Sequence, residues 1–191
     1  MNLDSSGSSA DFIDVTPTVP NGHLPLEGTS APASQPLQAP IRGSASRRNA
    51  VTYEAVINQF GVALNERYTS RAGDAVFACD VLKAMGIEVP RCSGANELLG
   101  WLEREGAAWG FRRVVAQDTA LAAAKGHPAL VIDQQPHYER PGRVSVVRPG
   151  SPRRVVLARG GENASERAAL TRPVDPARRS YWVADVKPQL G

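Results

Sequence analysis

Lysine is almost missing from this chain of 191 residues. Lys83, Lys125 and Lys187 are the only ones, and arginine supplies the remaining positive charge. A nucleic-acid-binding surface concentrates its basic residues on one face, whereas here 22 basic residues are scattered among 19 acidic ones for a net charge of +3. That balance favours solubility, and no nucleic-acid partner is expected. Cysteine is equally scarce. Cys79 and Cys92 are too few to staple a secreted scaffold and are expected as free thiols. Histidine occurs three times, at His23, His127 and His137, with no ligand-like spacing to either cysteine, so no metal is expected. Neither a phosphate loop nor a dinucleotide fingerprint occurs, and no cofactor is expected. No apolar run approaches the length that spans a membrane, and the N-terminus lacks the basic-then-apolar order of a cleavable signal. Membrane insertion is therefore not expected.

What is present falls into two parts. Residues 1–49 are rich in Ser, Pro, Thr, Gln and Gly, with Phe12 as the sole aromatic. Such a segment cannot bury enough apolar surface to offset its conformational entropy and is expected to be disordered. It is either a plain linker or an export address, since its composition resembles the leaders of bacterial effectors secreted through type III systems. Residues 50–188 have the length of one ordinary domain with its own core.

The domain begins with helical periods. Val51, Ala55, Val56 and Phe60 share a face of a first helix running to about Ala63, with Thr52 as its expected cap. A polar turn from Asn65 to Gly73 follows. The stretch from Gly73 to Val89 predicts a central helix that opens on Asp74, carries Phe77, Val81 and Met85 at i, i+4 and i+8, and stops at Gly86. Asp80 and Lys83 are the only charges inside it, so most of its circumference is expected to be buried. A third helix carries Leu98, Leu99, Trp101 and Leu102, and an alanine-rich fourth runs from Ala116 to Lys125. Residues from Trp109 to Val115 are expected as a short extended link.

The second half changes to strand periods. Candidate strands start at Pro128, Arg143, Arg153 and Ser180, separated by turn signals at Pro136, Pro141-Gly142, Pro149-Gly150 and Gly160-Gly161. Ala164 to Arg179 is expected as a solvated loop or short helix. Helices followed by an antiparallel sheet make an α+β fold.

Several pieces together resemble the papain-like NlpC/P60-type cysteine amidases and endopeptidases of bacterial peptidoglycan. They are Asn65-Glu-Arg67-Tyr68-Thr69, Asp80-Val-Leu-Lys-Ala-Met-Gly86, Ala95-Asn96-Glu-Leu-Leu-Gly-Trp101-Leu102, Gly126-His-Pro-Ala129, Gly142-Arg143-Val144 and Val147-Arg-Pro-Gly150, with Tyr181-Trp182-Val183 as a final strand. The resemblance spans roughly Val51 to Val186. It implies a papain-like helical half packed on a small antiparallel sheet, with a nucleophilic cysteine where the central helix starts. There the helix dipole and free N–H groups stabilise a thiolate.

Both catalytic positions depart from that pattern. Counting back from Asp80, the nucleophile's position holds Asp74 and the next holds Ala75; along the Gly-x-Val strand, the general base's position holds Arg143. Arginine stays protonated and cannot serve as a base. No Asn, Gln or His stands between Arg153 and Arg159, where the resemblance places the residue that orients the histidine. The degenerate pair has two alternatives: an Asp74–Arg143 ion pair filling the old site, or independent changes with Asp74 serving simply as the helix N-cap. Cys79 lies more than a turn inside the apolar helix, as a core thiol does. Cys92-Ser93-Gly94 mimics the opening of a nucleophile helix, and His137 could supply a base by a local shift. His127 and His23 do not look catalytic.

Two functions therefore stand side by side. The first is a pseudo-enzyme of a bacterial secreted or effector-type protein that binds a protein or a peptidoglycan peptide. The second is an active cysteine amidase or peptidase using Cys92 or Cys79 with His137.

Overall fold

A computed structural model describes residues 48–90, 93–135, 142–151, 154–171 and 175–185. The proline-rich tail before residue 48, Cys92, His137 and the residues after 185 lie outside the described residues. The helices are α1 (Ala50–Asn58), α2 (Glu66–Thr69), α3 (Gly73–Ala84), α4 (Ala95–Arg104) and α5 (Ala116–Ala124). The strands are β1 (Phe111–Val114), β2 (Ala129–Asp133), β3 (Arg143–Val147), β4 (Val156–Arg159), β5 (Ser165–Ala169) and β6 (Arg179–Ala184). All six form one antiparallel sheet in the order β1-β6-β2-β3-β4-β5, so the α+β expectation holds.

The apolar stripe of α3 explains its central place. Phe77, Val81 and Met85 are fully buried, and Ala75, Ala78, Cys79 and Leu82 close the rest of the circumference. Full burial of each large side chain contributes about 1.5–3 kcal/mol. The helix stops because Gly86 takes a φ of 76°, a left-handed turn that glycine adopts without a side-chain clash. On its outer side Asp80 accepts hydrogen bonds from Arg67 Nη2 at 2.9 Å, Arg67 Nε at 3.1 Å and the Tyr68 hydroxyl at 2.9 Å. The Asn65–Thr69 and Asp80 motifs are thus one clamp between α2 and α3. Burial and that contact with Asp80 push the Tyr68 phenol up to about 12.

Several expected boundaries shift for identifiable reasons. Helix α1 ends at Asn58, short of the expected Ala63, and its cap is Asn49, whose side chain accepts the Thr52 N–H at 2.9 Å. Thr52 is therefore the donor and not the cap. The expected link from Trp109 becomes a 3₁₀ turn over Gly106–Trp109 followed by β1, which gains its pairing from β6. The expected loop from Ala164 contains β5, an edge strand whose backbone pairs with β4 despite its polar side chains.

A second polar anchor fastens the sheet to α1. Arg148, almost wholly enclosed, donates to Glu54 Oε1 at 2.8 Å, Asn58 Oδ1 at 2.6 Å and Glu166 Oε2 at 2.7 Å. Burying a guanidinium is tolerable only with such a set of acceptors.

Candidate functional site

The start of α3 is held against the end of β4 by a backbone approach too close for side chains. A Cβ on Gly73 would lie 2.2 Å from the Tyr68 carbonyl oxygen, and one on Gly160 would lie 2.8 Å from both the Tyr68 and Gly73 carbonyl oxygens. The Gly161 N–H donates to the Tyr68 carbonyl at 2.7 Å, closing the junction. A second close approach, at Gly142, places the entry to β3 beside Ala95 and Asn96, and Asn96 Nδ2 donates to the Gln135 carbonyl at 3.1 Å. These two junctions frame a cleft of roughly 700 Å³ whose wall includes Asp74, Arg143, Ser145, Leu157, Arg159 and Arg179.

Asp74 is not the helix cap that the sequence suggests. The cap position is Ala72, which makes no side-chain hydrogen bond, and Asp74 is the second residue of α3. Its Oδ1 accepts the Ala75 N–H at 2.7 Å, satisfying one donor that the first helical turn leaves open. Its Oδ2 accepts the Val144 N–H at 2.8 Å. That second bond matters for the sheet: β3 pairs with β4 at Val146 and Val147, and the carboxylate takes the Val144 amide beyond that pairing, where the β4 chain runs on towards Gly160. Asp74 is only 5 % exposed. Burial pushes its carboxyl above the usual aspartate range, and the Val144 and Ala75 amides and the positive Arg143 offset this only in part.

Arg143, at the start of β3, is exposed and lines the same cleft. The expected Asp74–Arg143 ion pair does not form: the carboxylate oxygens accept backbone amides, and Arg143 acts on Asp74 through its charge alone. Across the sheet Asp133 stands opposite Arg143 on one side and Arg179 on the other. Arg179 binds it with two bonds, Nε to Oδ1 at 2.5 Å and Nη2 to Oδ2 at 2.8 Å. Asp175 pairs with Arg178 at 3.0 Å.

The other sequence candidates fall elsewhere. Cys79 is buried in the core with its Sγ 3.9 Å from the Pro90 carbonyl oxygen, and it does not line the cleft. Cys92 and His137 lie outside the described residues. His127 belongs to the α5–β2 turn, where its Nδ1 is 3.7 Å from Asp185. On β4 the cleft meets Leu157 and Arg159, neither of which can orient an imidazole as an acceptor. Among the described residues no group of His, Cys, Asp and Glu could hold a metal ion, and no helix is long and apolar enough to cross a membrane. Sequence reasoning missed Asp133, Arg159 and Arg179. The first had a signal, as an acid ending an otherwise apolar strand; the arginines had none, since their value depends on strand register. Set against known proteins, the chain matches no protein-family model and no curated protein.

Proposed function

We propose that this chain is a catalytically inactive papain-like domain of the NlpC/P60 type, and that it works by binding a protein or peptide partner in the cleft at the start of α3. The observation that carries this is Asp74. Where the resemblance expects a thiol, a buried carboxylate stands, each of its oxygens accepting a backbone amide, Ala75 at one and Val144 at the other, so that it serves the junction between α3 and β3. Arg143 stands where an imidazole is expected, and a guanidinium cannot take a proton from a nucleophile. A carboxylate without a general base beside it does not hydrolyse amides by the papain route. In the same proposal the tail of residues 1–49 delivers the domain from a bacterium as a secreted or effector-type protein, which rests on its composition.

The test is a digest of muropeptides and of unfolded protein by the full chain. Wild type should release no product, and Asp74→Cys combined with Arg143→His should create measurable hydrolysis. Wild-type cleavage abolished by Cys92→Ser would sink the proposal in favour of an active cysteine amidase.

A further inference from the structure

We infer that the cleft is a receptor for a peptide carboxylate, gripped between Arg143 and Arg159; this rests on the cleft-binding function proposed above and names the chemistry of its ligand. The acids in the cleft wall are mostly spoken for. Asp74 is bound by two backbone amides, Asp133 by Arg179, and Asp175 by Arg178 and the Ala177 N–H. Two of the arginines are not. Among the described residues the Arg143 guanidinium makes no hydrogen bond or ion pair, and that of Arg159 spends only its Nε, on the Asn163 carbonyl at 3.2 Å.

Their placement converges on one point of the fold. Arg143 precedes Val144, whose amide is bound to Asp74, and Arg159 precedes Gly160, where a Cβ would lie 2.9 Å from the Asp74 Cα. The two arginines therefore stand beside the start of α3 on adjacent strands, and both line the same cleft. A guanidinium presents a planar fork of donors that matches a carboxylate, and two forks within one cleft can share its two oxygens.

The charge balance selects the anion. Five arginines line the cleft against four carboxylic acids, Asp74, Asp133, Glu162 and Asp175, which leaves a net charge of about +1 by direct count when all are ionised. That field suits a monoanion better than a dianionic phosphate. Leu157, Ala169 and Leu170 give the cleft an apolar side beside the arginines, which suits a peptide chain better than a free ion. The carboxylate can come from an Asp or Glu side chain or from a peptide's C-terminus.

Backbone-amide NMR of the full chain distinguishes these sources. The probes are acetyl-Gly-Glu-Gly-amide, acetyl-Gly-Gly-Gly with a free C-terminal acid, acetyl-Gly-Gln-Gly-amide and inorganic phosphate. At least one of the two acids should move the Val144, Ser145, Gly160 and Gly161 amides saturably, and which of them does so identifies the source. The neutral peptide should leave them in place, and phosphate should bind more weakly than the better acid. Arg143→Gln and Arg159→Gln should each weaken binding by about tenfold or more, as expected for a lost charge-assisted hydrogen bond, and the Lys variants should recover part of it. Arg113→Gln, on β1 outside the cleft, should change nothing. Equal shifts from the neutral peptide would overturn the carboxylate assignment while leaving cleft binding intact. Unchanged binding in both Gln variants, tighter binding of phosphate, or no response to either acid would also overturn it. Hydrolysis dependent on Cys92 would instead remove the pseudo-enzyme proposal, whatever the peptides do.

Discussion

Replacing Asp74 with alanine should unfold the molecule more easily by an amount that its hydrogen bonds set. The change strands two amides, those of Ala75 and Val144, at a junction from which water is largely excluded. Each stranded donor costs about 1–3 kcal/mol, and relief from desolvating a carboxylate offsets part of the sum, which leaves a net loss of about 2–4 kcal/mol near neutral pH. With a slope of about 2 kcal/mol per molar urea, the midpoint should fall by about 1–2 M. Asp74→Asn keeps one acceptor oxygen and should lose roughly half as much.

The pH dependence has a definite sign. The folded carboxyl titrates above its unfolded value, so the folded state binds its proton more tightly. The stability this contributes is full below the unfolded pKa and is lost as pH rises through the folded one. The gap between wild type and Asp74→Ala should therefore widen as pH is lowered from about 7 towards the ordinary aspartate range near about 4. Urea titrations followed by the fluorescence of the buried Trp101 and Trp182 measure it. A gap below about 0.5 kcal/mol at neutral pH, or one that closes on acidification, would refute this account of the site.

Three other perturbations probe the rest of the frame. Arg148→Ala leaves Glu54, Asn58 and Glu166 without their shared donor; the two glutamates retain some access to water, so a loss of about 3 kcal/mol is expected in the same urea assay, and a loss under about 1 would contradict the anchor. Gly160→Ala drives a Cβ to 2.8 Å from two carbonyl oxygens, and should cost more than about 2 kcal/mol; an alanine variant as stable as wild type would mean that the junction is looser than described. In a Cys92→Ser background, Cys79 should react with a thiol reagent only after unfolding, and rapid labelling of the native chain would place that thiol at the surface.

The helices other than the short α2, which lies in the stretch expected as a polar turn, were legible because their signals are local. Phe77, Val81 and Met85 repeat at one helical period, and Gly86 stops the helix that they bury. Strand β2 was legible for the same reason, as a short apolar run that is buried along nearly all its length. Strand β5 was not, since Ser165-Glu166-Arg167 reads as a solvated stretch and becomes a strand only because β4 offers an edge. The site was half legible. Asp74 and Arg143 were singled out by the family resemblance and both line the cleft, but the bond from the Val144 amide to Asp74 is one that no local pattern reveals. Likewise Arg179 reaches Asp133 across 46 residues of chain because the β2–β6 register sets them opposite.

That register also governs when the molecule can form. Strand β6 lies between β1 and β2, although β2, β3, β4 and β5 all precede it along the chain. Until residues 179–184 emerge from the ribosome, β1 has no neighbour and β2 has an open edge. Pairings of such long sequence separation are slow to close, because the intervening loop's entropy is lost before any contact is gained. A nascent chain halted between β5 and Arg179 would leave both strand edges that β6 fills, one on β1 and one on β2, unsatisfied, and would present itself to chaperones, proteases or a threading machine as an unfinished sheet.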